Sequence, residues 1–543
     1  MKLLPPIAVI ALPVNDRFHQ DTGDEEMRSP CVRLRVTILA IFGIAAAGYA
    51  SDGSRPNIIL IMSDDMGWSD IGCYGGEVRT PHLDRLAAEG LRFSQFYNNA
   101  KCTTTRASLV TGLYPRKGGR GQQLLDEHMV TFGEVLREAG YQTALVGKWH
   151  LGSQPPHRPY DRGFDEYYGL MDGCCNFFNP TQPDPKFKGG RVRAFGHNDQ
   201  RITEFPKDYY TTDAFTDHAI RTIKRYAGSR KPFFLHLTYT APHYPLHARP
   251  NDIARYRGKY KMGWLTMRQR RYRRQIEMGL IDPKTCALSA QDSRMYPWEE
   301  ADQDWEDMRM AVYAAMIDSM DRNIGRLMQT LADLGIEDNT IVMFLSDNGG
   351  CAEEPGGSKL QRHPVDDPGS ASTYMTVGPS WGWAQNAPFK RYKANTHEGG
   401  VRTPLIVRWP GKVKPNTITH QPGHIIDFMA TFADLAGTQY PQTYKGNDII
   451  PLEGKSLVPV FLGRKREPHD YLAWHWAGNR ALRAGDWKLV WDKQYKRWAL
   501  YDLSKDQSET RDRSAAFPQR VEELAKRWYL WAETTDVKYS GGR

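Results

Sequence analysis

The residues from Cys102 to Arg106 bring groups that could do chemistry into one short stretch. A thiol, three threonine hydroxyls and an arginine precede an apolar segment that Gly112 can end. If that segment is a helix, its dipole and its free N–H groups favour negative charge developing at Cys102. A lone cysteine is more often a small buried core residue, so a chemical role depends on the groups that the fold brings to it.

Four apolar runs of the chain end in polar clusters. These are Ser63-Asp64-Asp65 after 57–62, Gly147-Lys148-Trp149-His150 after 143–146, Thr240-Ala241-Pro242-His243 after 233–237, and Ser346-Asp347-Asn348-Gly349 after 340–345. Short, nearly continuous apolar runs are typical of strands that are buried on both faces. Helical patterns separate them, so the sequence predicts an α/β fold with a largely parallel sheet between helices. Ligands bind beyond the carboxyl ends of such strands, which places all four clusters at one edge.

Two of the clusters predict a cation site. Asp64 and Asp65 follow one strand, and Asp347 and Asn348 follow a similar one. Either pair alone is more often a turn or a helix cap. Together they offer hard oxygen ligands, which suit Ca²⁺ or Mg²⁺ better than zinc.

Several basic side chains are candidates for binding an anion. Lys148 and His150 would face the same side of an extended segment, whereas His243 lies in a predicted loop, where a histidine is as often incidental as functional. Lys393 belongs to a basic segment that leads through a Glu-Gly-Gly turn to the next strand. A further basic run, 268–274, predicts the solvated face of a surface helix, with a polyanion-binding patch as the alternative.

The bulk properties are those of a soluble globular protein. Of the 543 residues, 40% are hydrophobic and 25% are charged, which allows a large core. The formal net charge of +9 indicates a basic surface, or attraction for acidic partners such as sulfated polysaccharides. No recognition motif indicates nucleic acid. The seven cysteines show no paired zinc spacing and are too few for a disulfide scaffold.

The first fifty residues predict a targeting segment. Met27 is the expected true start, because basic residues follow it and precede the apolar run 36–47. Gly48-Tyr49-Ala50 offers a cleavage site, so we expect export to the periplasm or to the outside of the cell, with Ser51 as the mature N-terminus. The apolar run is short for a bilayer span, and no later segment is apolar enough, so the mature chain is expected to have none.

Taken together, the motifs resemble those of the type I sulfatases of the arylsulfatase kind, within the alkaline-phosphatase-like superfamily. Cys102 and Arg106, followed by Ala-Ser-Leu-Val-Thr-Gly, match the signature of that family, although Thr104 stands where the family has Pro or Ala. The other matching motifs follow in order: Ser63-Asp64-Asp65-Met66-Gly67, Gly147-Lys148-Trp149-His150-Leu151-Gly152, Ala241-Pro242-His243, Ser346-Asp347-Asn348-Gly349, and Lys393 ahead of Glu398-Gly399-Gly400. The resemblance covers the chain from Pro56 to about Gly541.

The resemblance implies a role for each matching residue. In that family a maturation enzyme oxidises the cysteine, before folding, to formylglycine (3-oxoalanine), whose aldehyde does the catalysis. Carried over by position, the resemblance implies that one Ca²⁺ ion would be held by Asp64, Asp65, Asp347 and Asn348 together with the modified Cys102. Arg106 would steady the modified side chain, and His150 would hydrogen-bond its hydrated aldehyde. Lys148 and Lys393 would bind sulfate oxygens, and His243 would protonate the leaving alcohol.

The implied activity is hydrolysis of sulfate esters in a sulfated small molecule or polysaccharide. The implied fold is a large, mostly parallel sheet sandwiched by helices, followed by a small antiparallel sheet with a helix. The predicted organisation is 1–50 for the N-terminal extension and signal peptide, 51–467 for the catalytic domain and 468–543 for the C-terminal subdomain. Two other functions stay open: a phosphoester or phosphonate hydrolase of the same superfamily, and a non-catalytic protein that binds sulfated glycans if Cys102 is unmodified.

Overall fold

A large mixed β-sheet with helices on both faces forms the centre of the protein. The computed structural model describes residues 55–116, 125–291 and 295–539, so the predicted targeting segment lies outside the described residues. The strands are β1 (Asn57–Ser63), β2 (Leu91–Tyr97), β3 (Gln142–Gly147), β4 (Glu166–Leu170), β5 (Phe195–His197), β6 (Gln200–Ile202), β7 (Phe233–Thr238), β8 (Thr340–Ser346), β9 (Arg402–Arg408), β10 (Thr417–Thr419), β11 (Gly423–His424), β12 (Thr443–Tyr444), β13 (Asn447–Asp448), β14 (Leu472–Trp476), β15 (Asn479–Ala484), β16 (Trp487–Asp492) and β17 (Arg497–Asp502). The helices are α1 (Pro81–Ala88), α2 (Cys102–Thr111), α3 (Phe132–Glu138), α4 (Thr211–Ala227), α5 (Pro250–Ala254), α6 (Gly263–Glu277), α7 (Gln303–Asp333), α8 (Ser358–Gln361), α9 (Gly378–Ala384), α10 (Glu398–Val401), α11 (Asp427–Ala436), α12 (Val458–Phe461) and α13 (Pro518–Thr534).

The order of strands in the large sheet is β10-β2-β9-β8-β1-β7-β3-β4-β5-β6, with β11 also paired to β2. The five central strands, β8-β1-β7-β3-β4, are all parallel. Strand β9 is antiparallel to both of its neighbours, and β5 and β6 add an antiparallel edge. The predicted class, a mostly parallel sheet between helices, is confirmed.

Strand β1 shows why the sheet must be covered on both faces. Ile59 and Ile61 face a core built with α1, α4 and α7, whereas Ile58, Leu60 and Met62 face a second core built with α2, α3 and α11. Every one of these side chains is fully buried, which contributes about 1.5–3 kcal/mol for each of them. The two cores hold β1 rigidly at the middle of the sheet.

A second sheet follows near the C-terminus, as predicted. Strands β14 to β17 form an antiparallel meander in sequence order. Helix α13 covers one face of it, where Leu524, Trp528 and Trp531 pack against the strands. The other face packs through Trp474 on Tyr97 at the end of β2 and on the side of Val401 in α10. The predicted boundary between a catalytic domain and a C-terminal subdomain stays a prediction.

The basic run on α6 differs from its prediction as a solvated face. Arg268 and Arg271 are buried, because the helical period places them beside Trp264 and Met267 on the inward side. Arg268 stacks on the ring of Trp383 at 3.8 Å and donates to three carbonyl oxygens and a serine hydroxyl. Arg271 pairs with two carboxylates. Only the intervening positions of the run are exposed, so this part of the prediction is wrong.

The described helices are too short or too polar to cross a bilayer. This holds even for α7, whose 31 residues would be long enough, because charged side chains recur along it.

Candidate active site

The predicted polar clusters lie together at the carboxyl ends of four adjacent parallel strands, β8, β1, β7 and β3. In the register of the sheet Ser63 lies opposite Ser346, and Thr238 lies opposite both Met62 and Gly147. The residues that follow these positions are therefore side by side at one edge. The backbone N–H of Asp65 donates to Oδ1 of Asp347 at 3.1 Å and links two of the ends directly.

Cys102 is the first residue of α2, the position that its sequence predicted. The preceding Lys101 is extended, and the helix ends at Gly112, which adopts the left-handed conformation with φ of 73°. The Cys102 side chain is buried, with 2% of its surface exposed. Its N-terminal position points free backbone N–H groups at any negative charge that develops there.

Arg106 joins the helix to the strand ends. It lies one turn after Cys102, and its Nε and Nη2 both donate to Oδ2 of Asp347, at 3.1 and 2.8 Å. Its Nη1 donates to the backbone oxygen of Lys148 at 2.8 Å. Because the guanidinium is fully buried, these contacts fix its orientation.

Two buried lysines pair with the two aspartates that follow β1. Lys148 Nζ lies 2.6 Å from Oδ2 of Asp64, and Lys393 Nζ lies 2.6 Å from Oδ2 of Asp65. Asn348 Nδ2 donates to the other oxygen of Asp65 at 2.7 Å. The cluster is thus a buried network of oppositely charged side chains.

The pKa shifts in this cluster follow from burial and from charge. Burial raises the pKa of Asp64 well above its ordinary value, against the opposing effect of Lys148. Burial also acts to raise the pKa of Asp65, but His243 and Lys393 together hold that pKa below the ordinary value. Burial alone would lower the pKa of Lys148, which Asp64 and then Cys102 raise instead. Cys102 therefore lies within electrostatic reach of a lysine at this edge.

Oxygen atoms at the strand ends fit a hard divalent cation. No hydrogen-bond donor within the described ranges reaches Oδ1 of Asp64 or Oδ1 of Asn348, although both atoms are buried. A buried polar atom without a partner costs about 1–3 kcal/mol, so a ligand is expected. Ligand atoms of Asp64, Asp65 and His243 also lie within 4.8 Å of one another. Carboxylate and amide oxygens are the ligands that Ca²⁺ and Mg²⁺ prefer.

His243 lies between the aspartate and the lysine of one pair. Its Nε2 is 3.3 Å from Oδ2 of Asp65 and 3.5 Å from Nζ of Lys393. Its Nδ1 faces the backbone oxygen of Tyr244, which fixes the ring. Burial lowers the pKa of His243 well below its ordinary value, and Asp65 opposes that shift.

His150 reaches the site by a backbone conformation that the sequence did not predict. The segment is not extended at this residue, which has φ of 66°, in the left-handed region. The residue is half-buried, its Nδ1 is buried without a partner among the described residues, and Gly173 lies against the ring. Burial lowers the pKa of His150 well below its ordinary value, and Lys148 lowers it further. Both effects favour the neutral imidazole.

Replacing Gly173 by alanine is expected to lower kcat about 10–100-fold while the protein stays folded. The added Cβ would come within 2.6 Å of Cε1 and Nε2 of His150, so the ring must move. A displacement of about 1 Å in an active site can cost about 10²-fold in rate. The measurement is steady-state turnover of an aryl sulfate, with Gly228→Ala as the control, since a Cβ there meets nothing closer than 3.5 Å. Equal activity of the two variants would contradict a role for His150.

Sequence reasoning missed three residues that border the cluster. Glu353 pairs with Lys101 and lies 3.7 Å from Nζ of Lys393. Tyr244 donates to the same carboxylate at 2.7 Å. The position of Lys101, directly before Cys102, was a usable signal, and so was that of Tyr244 after His243. Glu353 lies in a loop without periodicity and gave no signal.

Comparison with known proteins now identifies the family. A family model described as Sulfatase matches residues 56–438. The chain belongs to the sulfatase family. A second model, described as N-sulphoglucosamine sulphohydrolase, C-terminal, matches residues 389–527 of this sulfatase. These matches confirm that the protein resembles the type I sulfatases, and the protein is a sulfuric ester hydrolase.

Relatives of this sulfatase cover most of its length. An uncharacterized sulfatase of Schizosaccharomyces pombe is 31% identical, over 90% of this chain and 95% of its own. The arylsulfatase of Klebsiella aerogenes is 31% identical, over 77% of this chain and 94% of its own. The crystal structure of Ps i-CgsB in complex with k-i-k-neocarrahexaose has a TM-score of 0.65 and 28% identity, and the match covers 88% of this chain and 93% of that one.

Proposed function

We propose that the protein hydrolyses sulfate esters at the edge formed by β1, β8, β3 and β7, with Cys102, matured to formylglycine, as the nucleophile. The observation that carries the proposal is the position of Cys102. It begins a helix whose next turn places Arg106 on Asp347 and on the backbone oxygen of Lys148, and the side chain of Lys148 pairs with Asp64. The nucleophile, the cations and the oxygen ligands thus lie in one buried cluster.

The two lysines would bind the sulfate group of the substrate. Lys148 and Lys393 are fully buried, and Asp64 and Asp65 hold them charged and fixed. A sulfate ester carries negative charge on its oxygens, and the leaving oxygen gains more charge in the transition state. Ammonium groups that are already in place stabilise this charge without reorganising, which is usually the largest contribution to catalysis.

The oxygen ligands would hold one Ca²⁺ ion. The residues proposed for this are Asp64, Asp65, Asp347 and Asn348. When bound, the ion supplies Lewis acidity toward a sulfate oxygen. The unpartnered buried oxygens of Asp64 and Asn348 support the assignment.

The side chain at position 102 would supply the nucleophile, and its neighbours would orient it. The aldehyde of formylglycine, when present, provides covalent catalysis with an exit that a serine or threonine lacks. Arg106 is fixed on Asp347 and would hold this side chain in place, while the neutral ring of His150 would accept or donate a hydrogen bond to it.

His243 would act as the general acid that protonates the leaving alcohol. Its Nε2 faces the lysine and aspartate pair. Because Nδ1 is bonded to a backbone oxygen, Nε2 would donate its proton from the imidazolium, the form that Asp65 favours against the effect of burial on the pKa of His243. That proton would neutralise the charge on the departing oxygen. The bond between Nδ1 and the Tyr244 backbone keeps Nε2 pointing into the cluster.

A sulfated carbohydrate is the proposed natural substrate class. Ps i-CgsB was solved with the oligosaccharide k-i-k-neocarrahexaose, and the N-acetylgalactosamine-6-sulfatase of Canis lupus familiaris is 30% identical over 78% of this chain and 70% of its own. The chain's net charge of +9 supports an acidic substrate.

Two measurements test the proposed function. The peptide that contains Cys102, from protein made in a host with a competent maturation system, is expected to show the mass of formylglycine. An aryl sulfate is expected to turn over at least about 10-fold faster than the matching aryl phosphate. Unmodified thiol in all of the protein would overturn the nucleophile, and preference for the phosphate would overturn the substrate class.

Replacing His243 by alanine is expected to slow substrates with poor leaving groups about 10²–10⁴-fold, the usual contribution of a general acid. Nitrophenyl sulfate should be slowed much less, because its leaving group is stable without a proton. The measurement is kcat for a sugar sulfate and for nitrophenyl sulfate with the same preparation, so that each variant is its own control. Equal slowing of both substrates would remove the acid role.

A further inference from the structure

Three side chains outside the active site converge on one point. They are Glu166 at the start of β4, His197 at the end of β5 and His218 on α4. Nε2 of His218 lies 2.6 Å from Oε1 of Glu166, and Nε2 of His197 lies 3.1 Å from the same oxygen. All three ligand atoms lie within 4.8 Å of one another. No step of the proposed reaction uses these residues.

The surroundings fix this Glu166 cluster from three sides. The His218 ring stacks on Tyr168, with centroids 4.6 Å apart and planes 8° apart. Arg225 on α4 holds the other oxygen of Glu166 at 2.7 Å, so that Oε1 is left for the two imidazoles. Glu166 and His218 are buried, whereas the His197 side chain is 49% exposed and gives access from solvent.

The cluster is separate from the proposed catalytic centre. Glu166 begins β4, whereas the catalytic groups lie beyond the carboxyl ends of the strands. His150 bonds through its backbone to Met171, five residues further along the chain than Glu166. At 3.3 Å per residue of strand this corresponds to about 16 Å.

We propose that Glu166, His197 and His218 bind a divalent transition metal ion, with Zn²⁺ as the best fit. Two imidazoles and one carboxylate are a ligand set that zinc uses, with the fourth position left to water. The exposed side of His197 provides that position. Calcium is not expected here, because it prefers oxygen ligands throughout.

In a tetrahedral site with bonds of about 2.0–2.1 Å, neighbouring ligand atoms are about 3.3 Å apart. The hydrogen-bonded contact of His197 with Glu166, at 3.1 Å, is already close to that spacing, whereas the contact of His218 with Glu166, at 2.6 Å, would open by about 0.7 Å as the ion replaced the hydrogen bond. Arg225 would then serve as an outer partner that orients the carboxylate. The ion would tie the β5–β6 hairpin to α4.

The test is Zn²⁺ titration of the whole protein in excess Ca²⁺, followed by calorimetry, with Co²⁺ absorption as a second probe. The wild-type protein is expected to bind one Zn²⁺ at this cluster, with a rise in Tm. His197→Gln removes the exposed ligand at little risk to folding, and it should weaken that binding at least about 100-fold and abolish the rise in Tm. His128→Ala is the control, because His128 is an exposed histidine whose ring contacts the backbone oxygen of Asp448 in β13 and the side chain of Glu127, both outside the cluster.

The outcomes separate this site from the catalytic one. Zn²⁺ bound at the strand ends would be unchanged in His197→Gln, so equal stoichiometry and affinity in that variant and in the wild type would overturn the proposal. Absence of Zn²⁺ binding in the wild type would do the same. A tetrahedral Co²⁺ spectrum in the wild type and in His128→Ala, lost in His197→Gln, would support it. Aryl sulfate turnover in Ca²⁺ should be equal in all three proteins.

Discussion

Replacing Cys102 by alanine is expected to lower kcat for an aryl sulfate by at least about 10⁴-fold, the cost usual for loss of a catalytic nucleophile. The lysines and the oxygen ligands would remain, so binding of the substrate should persist while turnover stops. The measurement is steady-state kinetics together with binding of a non-hydrolysable sulfonate.

Cys286→Ala is the matched control for that experiment. Cys286 is also a fully buried thiol, but its charged neighbours are Arg402, Glu398 and Asp506, away from the catalytic cluster. Its replacement should cost some stability and leave kcat within about 2-fold of the wild type. If Cys102→Ala kept a tenth of the wild-type turnover, the covalent mechanism would be wrong.

Removal of divalent cations by a chelator is expected to abolish turnover, and Ca²⁺ is expected to restore it. Asp64, Asp65 and Asp347 crowd buried carboxylates at one edge, and the Oδ1 atoms of Asp64 and Asn348 have no partner in the described part of the chain. Loss of a Lewis acid costs several kcal/mol of transition-state stabilisation. The measurement is activity across a series of buffered free Ca²⁺ concentrations.

The position of the metal is tested with variants. Asp347→Asn should raise the Ca²⁺ concentration for half activity at least about 10-fold, because it removes a charged ligand. Asp252→Asn changes a buried carboxylate of α5 that pairs with Arg322 of α7 and is not one of the proposed ligands, so it should leave the Ca²⁺ requirement unchanged. Undiminished turnover by metal-stripped protein would refute the metal assignment.

Periodicity was enough to predict the fold because β1 and β8 are buried on both faces. Their apolar runs have no polar interruption, which distinguishes them from the alternating pattern of an exposed strand. Reasoning from residue type failed on α6, because the run of arginines predicted a solvent-exposed face. Arg268 and Arg271 lie on the inward side, and partners from distant segments satisfy them. A single sequence does not contain those partners.

The candidate site was predictable as far as strand ends specify it. Asp64 and Asp347 follow directly from the sheet, and Cys102 follows from the helix that Gly112 ends. The position of Glu353 and the left-handed conformation at His150 could not be predicted from the sequence. Loop conformation depends on tertiary contacts, such as that of Gly173 with the imidazole ring of His150. The Glu166 cluster was equally hidden, since its ligands come from three elements with no common spacing.

The 2% exposure of Cys102 has a consequence for biogenesis. If Cys102 is matured as proposed, a modifying enzyme would have little access to it in the folded protein, so oxidation would have to precede folding of this region. Arg106 of the same helix is fixed on Asp347, which follows β8 and leaves the ribosome about 245 residues after Cys102. At about 5–20 residues per second this leaves roughly 10–50 s. The order of synthesis would thus provide time for the proposed maturation, and a circular permutant that makes β8 first is expected to shorten that time.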